Sequence, residues 1–116
     1  KSMEEISIIN KSYELYKEMA IAQKHLKKAA RNSLGISSEN SILEFIEFVI
    51  MAKNAPKTQK GIYLIKAGAH LEVLTLKLRL LLELKELNET RIFQMQAKAA
   101  EIGRMLGGWL KSLQSL

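Results

Sequence analysis

The segment from Thr58 to Leu87 most constrains the fold, because its apolar residues recur every three or four positions along two separate stripes. That spacing places each stripe on one face of an α-helix. The first stripe consists of Leu64, Ala67, Leu71, Leu74, Leu78 and Leu81. The second consists of Ile65, Ala69, Val73, Leu76, Leu80, Leu84 and Leu87. A helix on the outside of a monomeric bundle needs one apolar stripe, so the second predicts a contact with another subunit.

Three further helices are predicted by the same kind of periodicity. The predicted helices span about residues 3–31, 38–53, 58–87 and 89–113, and they form a single domain covering residues 1–116. The chain contains one proline and six glycines, a composition that favours long helices over a sandwich or barrel of short strands. Short links place neighbouring helices antiparallel. The sequence therefore predicts an all-α, antiparallel up-down-up-down four-helix bundle that assembles into a homo-oligomer.

The predicted links follow from residues that interrupt or cap helices. Gly35 is expected to adopt the left-handed conformation that ends the first helix, and Ser37 or Ser38 is expected to cap the second. Pro56 cannot continue a helical hydrogen-bond ladder, so the second helix should end just before it. Asn88 interrupts the apolar pattern and marks the start of the fourth helix.

No residues suited to catalysis or to cofactor binding stand out. The chain has no cysteine, which excludes disulfides and thiolate metal sites. Di-iron sites in helix bundles use Glu-x-x-His pairs, but Ala22 precedes His25 and Ala67 precedes His70 at that spacing. Neither a nucleophile elbow, a phosphate loop nor a dinucleotide fingerprint occurs. We therefore expect a protein that is not an enzyme and that uses no metal or other cofactor.

The sequence also bears on membranes and location. No stretch is apolar and uncharged over the roughly 18 residues that a membrane helix needs. The first residues, Lys1 to Glu5, lack the basic-then-apolar order of a secretory signal. We expect no membrane partner and a cytoplasmic location.

Positive charge is concentrated in patches. The formal net charge is +6 and the pI is near 9.6, which favours an acidic partner such as nucleic acid. Four basic residues share one face of the predicted first helix: Lys24, Lys27, Lys28 and Arg31. A second basic group should lie at the opposite end of the bundle and consists of Lys53, Lys57, Lys60 and Lys66. The second helix, which lies between the two basic groups in the sequence, is acidic. The alternative is that these are ordinary solubilising surface lysines.

The run from Glu101 to Ser112 places Gly103, Gly107 and Gly108 inside a helical pattern. Each glycine costs about 1 kcal/mol relative to alanine in a helix, so such a run indicates either a close backbone approach or a helix end. Gly103 and Gly107 are four residues apart and share a face, as in a tight helix contact. The alternative is a helix C terminus at Gly107 and Gly108, with Trp109 packing back on the core.

Three segments carry a family resemblance. The run Glu101-Ile-Gly-Arg-Met-Leu-Gly-Gly-Trp-Leu-Lys-Ser112 closely resembles the C-terminal signature of the accessory variability determinant (Avd) proteins of diversity-generating retroelements. Arg31-Asn-Ser-Leu-Gly35 is similar to that family's Arg-x-Thr-Leu-Gly turn, and Leu76-Lys-Leu-Arg-Leu-Leu-Leu82 is similar to its helix-three run. The chain departs from the family at Ser33, where threonine is expected, and at Ala29-Ala30, where a Phe-Pro pair is expected.

The resemblance implies a four-helix subunit that assembles as a pentameric barrel with a basic surface. It also implies that the chain binds the element's reverse transcriptase and its template RNA, with an RNA–DNA hybrid as a further candidate ligand. The function implied is that of a non-catalytic cofactor in adenine-directed mutagenic cDNA synthesis. The alternative function is a helical scaffold that binds no nucleic acid, like the related four-helix proteins encoded in intervening sequences of 23S ribosomal RNA genes.

This interpretation selects two sets of candidate residues. Those expected to contact phosphate or a partner are Lys24, Lys27, Lys28, Arg31, Arg79, Arg91 and Arg104. Arg79 lies among leucines, so an ion pair between subunits is the alternative for that residue. Those expected at the interface between subunits are Leu76, Leu80, Leu84, Gly103, Gly107 and Trp109.

Overall fold

The computed structural model describes residues 2–114, with side chains described for residues 5–114, and all regular structure in that part is helical. Its elements are α1 (Ser2–Gln23), α2 (Lys28–Ala30), a π-helical turn (Arg31–Gly35), α3 (Ile36–Asn54), α4 (Lys57–Glu83) and α5 (Glu89–Gln114). The turn joins α2 to α3 without a break, so the chain forms four long helical rods. The all-α prediction is confirmed for this part of the chain.

The four long helices form an antiparallel bundle. α1 packs against α3 and α5, and α4 packs against the same two helices, so α1 and α4 occupy opposite corners, as do α3 and α5. Lys11 pairs with Glu101 and Glu18 pairs with Lys98, so residue numbers rise along α1 as they fall along α5. The same reversal is seen between α1 and α3, where the Tyr16 hydroxyl donates to Glu39. The subunit is therefore compatible with the predicted up-down-up-down bundle.

The two ends of the bundle carry different links. The α1–α2 turn, residues 24–27, and the α4–α5 turn, residues 84–88, lie together at one end, which we call the turn end. A contact of 3.4 Å between Arg91 Nη2 and His25 Nε2 joins them. The link through Ala55 and Pro56 lies at the other end, which we call the proline end. The two basic groups of the sequence therefore occupy opposite ends, as predicted.

One apolar stripe from each long helix builds the core. α4 contributes the whole of its first predicted stripe, every member of which is buried. α5 contributes one stripe of its own at helical spacing: Ile92, Met95, Ala99, Ile102, Leu106 and Trp109. The main contributions of α1 and α3 are Ile8, Leu15, Met19, Ala22, Ile42, Phe45, Val49 and Ala52. Each fully buried large side chain stabilises the fold by about 1.5–3 kcal/mol, so these four stripes supply the main driving force for bundling.

The first helix ends earlier than the sequence predicted. α1 stops at Gln23, and a turn at residues 24–27 reverses the chain, so the predicted helix over residues 3–31 is wrong in its last third. Leu26 is buried and anchors the turn on the core, while Arg31 Nη2 donates to the Leu26 carbonyl at 3.1 Å. No glycine or proline marks this turn, and helix-forming alanines follow it, which explains why the periodicity concealed it.

Gly35 has a different role from the one predicted. Its φ of −64° and ψ of −52° are ordinary helical values, so the left-handed helix end expected there is wrong. A Cβ on Gly35 would overlap Gln23 Oε1 and lie 2.8 Å from Leu26 Cδ1, so glycine lets the ends of these two side chains pack against the π-helical turn. Ser38 is not a cap either, because it is buried inside α3 and its hydroxyl donates to the Leu34 carbonyl at 2.8 Å.

α4 ends at Glu83, four residues before the predicted end of the third helix. Lys85 adopts a φ of 59°, the left-handed conformation that commonly closes helices. The N–H groups of Lys85 and Glu86 donate to the carbonyls of Leu82 and Leu81, each at 3.0 Å. These two bonds satisfy the last carbonyls of α4 without a glycine.

Side chains cap the neighbouring helix ends. Asn88 Oδ1 accepts a hydrogen bond from the backbone N–H of Arg91 at 2.8 Å and so caps the start of α5, where the sequence predicted a helix start. At the proline end, Lys60 Nζ donates to the carbonyls of Ala52 and Lys53, each at 2.9 Å, at the last turn of α3. Lys60 is therefore a structural residue rather than a free surface charge.

Candidate nucleic-acid and partner interfaces

Basic side chains gather at the turn end. Lys24 and Lys27 lie in the α1–α2 turn, Lys28 begins α2, and Arg91 lies in the first turn of α5. The three lysines are exposed, and none forms an ion pair with a carboxylate in the described part of the chain. The prediction that Lys24, Lys27, Lys28 and Arg31 share one helical face is wrong, because the chain reverses between Lys24 and Lys28. They are nevertheless brought to the same end of the bundle.

Two of the predicted contact residues have partners within the subunit. Arg31 donates to the Leu26 carbonyl and thereby helps to hold the α1–α2 turn. Arg79 Nε lies 3.6 Å from Glu83 Oε2, one helical turn further along α4, and both side chains are exposed. An exposed pair of this kind stabilises a helix by only about 0.3–0.5 kcal/mol. Arg79 therefore carries a charge that its own helix already balances.

A groove of about 600 Å³ runs between α1 and α5. It holds two of the predicted contact residues, Arg91 and Arg104, neither of which pairs with a carboxylate among the described residues. The carboxylates in the groove are balanced by lysines across it. Lys98 Nζ lies 2.6 Å from Glu18 Oε2, and Lys11 Nζ lies 3.1 Å from Glu101 Oε2.

The outward face of α4 is apolar along most of its length. Leu76 is 57% exposed and Leu80 is 42% exposed, although both lie in the middle of a long helix. The exposed row comprises Ile62, Ile65, Ala69, Val73, Leu76 and Leu80, with Leu84 at the helix end. Leu87, which the sequence placed in the same stripe, is instead buried in the subunit core. A continuous apolar surface of this kind is typical of a protein–protein interface.

Two of the predicted interface residues serve packing inside the subunit. Trp109 is only 5% exposed, so nearly all of its side chain packs inside the subunit, and its place at an interface between subunits stays a prediction. Gly103 faces α4, where a Cβ would lie 3.5 Å from Leu71 Cδ2. The helix continues through Gly107 and Gly108 to Gln114, so the alternative of a helix end at these glycines is wrong. A Cβ on Gly107 would meet nothing within 4 Å, so packing within the subunit does not require a glycine at this position.

The two histidines make contacts with side chains rather than forming a metal site. His70 stacks on Phe48, with ring centroids 5.4 Å apart, and its Nδ1 lies 3.3 Å from Glu44 Oε1. His25 contacts Arg91, as described above. Among the side chains of residues 5–114, no cluster of three histidine or acidic groups is arranged to hold a metal ion. No helix in that range is long and apolar enough to cross a membrane.

Comparison with known proteins identifies the family. A family model described as bAvd-like matches residues 6–113, which is nearly the whole chain. The chain belongs to the bAvd-like family. The resemblance to Avd proteins read from the sequence is thereby confirmed. A comparison with curated proteins found no match.

Membership in the bAvd-like family indicates an accessory role in a diversity-generating retroelement. The family is one of accessory proteins and is not known for catalysis. The segment that carried the resemblance lies within α5, where Ile102, Leu106 and Trp109 enter the core while Arg104 and Gly107 remain exposed. The most characteristic stretch of this bAvd-like chain therefore combines core packing with an outward surface.

Sequence reasoning missed the row of ion pairs between α1 and α5. Lys11 and Glu18 are seven residues apart and so lie along one edge of α1, while Lys98 and Glu101 lie along one edge of α5. In an antiparallel arrangement these two edges place opposite charges face to face. The signal was present in the spacing, but it becomes specific only once the two helices are known to be neighbours.

Proposed function

We propose that this chain is a non-catalytic accessory protein that binds the reverse transcriptase and the template RNA of a diversity-generating retroelement. In this role it supports mutagenic cDNA synthesis by holding enzyme and template together, while the chemistry belongs to the reverse transcriptase. The observation that carries the proposal is the family match over residues 6–113. We place this activity in the cytoplasm.

RNA binding is supported by the basic groups at the turn end. Lys24, Lys27 and Lys28 are exposed and have no carboxylate partner among the described residues, and Arg91 lies beside them. Lysine and arginine side chains that neutralise phosphates release condensed counterions, which is the main source of sequence-independent affinity for nucleic acid. The same mechanism makes the binding strongly dependent on salt.

Assembly into a homo-oligomer, for which we propose a pentameric ring, is supported by the outward face of α4. A surface row of isoleucine, valine and leucine side chains is costly to leave in water, and a second copy would cover it. We assign Leu76, Leu80 and Leu84 to this interface, with Gly107 as a further candidate. A ring repeats the basic turn end around its axis, which raises the local positive potential.

Co-purification tests the proposal. The protein is expressed with the reverse transcriptase and template RNA of its own element, and the complex is isolated through a tag on the reverse transcriptase. We expect this chain and the RNA to be recovered together. The triple variant Lys24→Glu, Lys27→Glu, Lys28→Glu should lose RNA, whereas the pair Lys53→Glu, Lys57→Glu at the proline end provides a charge-reversal control.

Two results would count against the proposal. The first is recovery of the reverse transcriptase and RNA without this chain. The second is a gene neighbourhood that contains neither a reverse transcriptase gene nor a pair of template and variable repeats. The second result would favour a helical scaffold without a nucleic-acid function.

A further inference from the structure

The groove between α1 and α5 deepens the proposed function, on which this inference rests. We propose that the groove is a binding track for the phosphodiester backbone of RNA, with Arg91 and Arg104 as its two phosphate contacts and with the turn-end lysines as its continuation. The groove has a volume of about 600 Å³ and lies open along the side of the bundle. Its occupant is identified by charge, spacing and the nature of its walls.

The charges in the groove are unequally compensated. Glu18 is paired with Lys98 at 2.6 Å, and both side chains are about two-thirds buried, so this lysine is not available to a ligand. Glu101 is similarly paired with Lys11 at 3.1 Å. Each carboxylate in the groove thus has its own lysine, and Arg91 and Arg104 are left as an excess of two positive charges.

The separation of the two arginines selects an extended ligand. They are thirteen residues apart on α5, which at 1.5 Å per residue corresponds to about 20 Å along the helix axis. A single phosphate or a nucleotide is too short to bridge that distance. A nucleic-acid strand offers several phosphates over that length, about six for one strand of a DNA duplex with one phosphate per 3.4 Å of helix axis. A continuous polyanion is therefore the ligand that satisfies both arginines at once.

The walls of the groove indicate contact with the backbone rather than with bases. Between the arginines the groove is lined by Ile21, Gln94 and Ala97 beside the two ion pairs, and none of the described residues that line it is aromatic. Proteins that hold unpaired bases stack them on aromatic rings, whereas duplexes are gripped through phosphate and sugar. We therefore assign the groove to sequence-independent contact with the backbone.

The groove joins the basic turn end through His25. The Nε2 atom of His25 accepts a hydrogen bond from Arg91 Nη2 at 3.4 Å in the neutral form of the ring, and His25 follows Lys24 directly in the α1–α2 turn. This contact holds the Arg91 guanidinium against the α1–α2 turn, which carries Lys24 and Lys27 on either side of His25 and Leu26. We therefore extend the proposed path of the backbone from the groove to these two lysines.

The helix diagonally opposite α5 is acidic, which favours binding of RNA on the α1–α5 side of the bundle. α3 lies diagonally across from α5 and carries Glu39, Glu44 and Glu47 with no basic residue before Lys53. The acidic α3 side therefore disfavours a polyanion, while the two unpaired arginines favour it in the groove.

The test compares variants that lose the same charge at different places. Binding of a fluorescein-labelled RNA duplex of 20 base pairs is followed by fluorescence anisotropy between 50 and 200 mM salt, with a single-stranded 20-nucleotide oligo(U) as the second probe. The groove variant is Arg91→Gln, Arg104→Gln, and the control is Lys53→Gln, Lys57→Gln at the proline end. Light scattering and circular dichroism check that assembly and helix content are unchanged.

We expect the groove variant to reduce the slope of log affinity against log salt by about 2, since each lost phosphate contact contributes roughly 0.9. Between 50 and 200 mM salt, the groove variant should therefore lose about 10-fold less affinity than the unmodified protein loses. The control should keep the full slope. A larger effect on the duplex than on oligo(U) is expected, because the duplex holds its phosphates at fixed spacing.

Other outcomes overturn the inference and are distinguishable from failure of the proposed function. An unchanged slope in the groove variant, together with a reduced slope in Lys24→Gln, Lys27→Gln, Lys28→Gln, would confine RNA to the turn end and leave the proposed function standing. Unchanged RNA binding by the groove variant, together with its loss from the tagged reverse transcriptase in the co-purification described above, would make the groove a protein-docking surface. A changed particle mass would make it a subunit interface. No salt-dependent RNA binding by the unmodified protein would remove the proposed function as well.

Discussion

Substitutions in the exposed apolar stripe of α4 should affect assembly, whereas substitutions in its buried stripe should affect folding. In the subunit Leu76 is 57% and Leu80 is 42% exposed, whereas Leu74, on the other stripe, is 1% exposed. Replacing Leu76 and Leu80 by glutamine keeps helix propensity nearly unchanged. The Leu76→Gln, Leu80→Gln variant should therefore fold normally but assemble poorly. The Leu74→Ala variant should have a lower free energy of unfolding.

The size of the effect follows from the exposed fractions. Complete burial of a leucine side chain is worth about 1.5–3 kcal/mol, and about half of that gain remains to be made at Leu76 and at Leu80. Losing it at both sites costs each interface roughly 2 kcal/mol, and burying two amides without partners adds to this cost. Association should weaken by at least about 30-fold per interface. Leu74→Ala should instead lower the free energy of unfolding by about 2–5 kcal/mol.

Sedimentation velocity over a range of protein concentrations measures the assembly, and urea unfolding followed by circular dichroism measures the fold. We expect the unmodified protein to sediment as an oligomer and the Leu76→Gln, Leu80→Gln variant to dissociate at concentrations where the unmodified protein does not. The reasoning is refuted if the unmodified protein is a monomer throughout, or if the double variant sediments in the same way as the unmodified protein.

Three further substitutions test the packing. Gly35→Ala should lower the free energy of unfolding by about 1–3 kcal/mol in urea, because its Cβ would overlap Gln23 and crowd Leu26; an unchanged midpoint would show that α1 yields without cost. Gly107→Ala should leave subunit stability unchanged or raise it by up to about 1 kcal/mol, since the added methyl group meets open space, and a loss of stability in the isolated subunit would contradict this. Lys77→Met removes hydrogen bonds to the Ser37 carbonyl at 3.0 Å and to Ser41 Oγ at 2.7 Å, so thermal unfolding should show a loss of about 1–2 kcal/mol; no loss would mean that these bonds contribute nothing net.

The core of the bundle was predictable because apolar spacing reports directly on helical faces. The stripe from Leu64 to Leu81 is buried as the pattern predicts, and the apolar residues from Ile92 to Trp109 are buried at the same helical spacing. The start of α5 was also predictable, because Asn88 is a residue type that caps helices through its side chain.

The ends of α1 and α4 were not predictable from local signals. The α1–α2 turn contains no glycine or proline, and it is held by a local contact from Arg31 and by burial of Leu26 in the core, which depends on the assembled bundle. The α4 end places Lys85 in a left-handed conformation that usually favours glycine. In both places tertiary packing outweighs local preference.

The candidate sites were only partly predictable, because charge in a sequence does not reveal which charges are already paired. Arg79 and Lys98 carry the same formal charge as Arg91 and Arg104. Arg79 and Lys98 each have a carboxylate partner in the fold, whereas Arg91 and Arg104 have none among the described residues. Trp109 illustrates the same limit for apolar residues, since its place on a helix pattern left open whether it faced the core or a neighbour.

Reconstituted cDNA synthesis shows whether mutagenic copying depends on this protein. The reverse transcriptase of the element is incubated with its template RNA with and without this protein, and the cDNA is sequenced. The account predicts that cDNA carrying substitutions at template adenines appears only when the protein is present, and that Lys24→Glu, Lys27→Glu, Lys28→Glu abolishes it. Equal yield and equal adenine substitution in the absence of the protein would contradict the account.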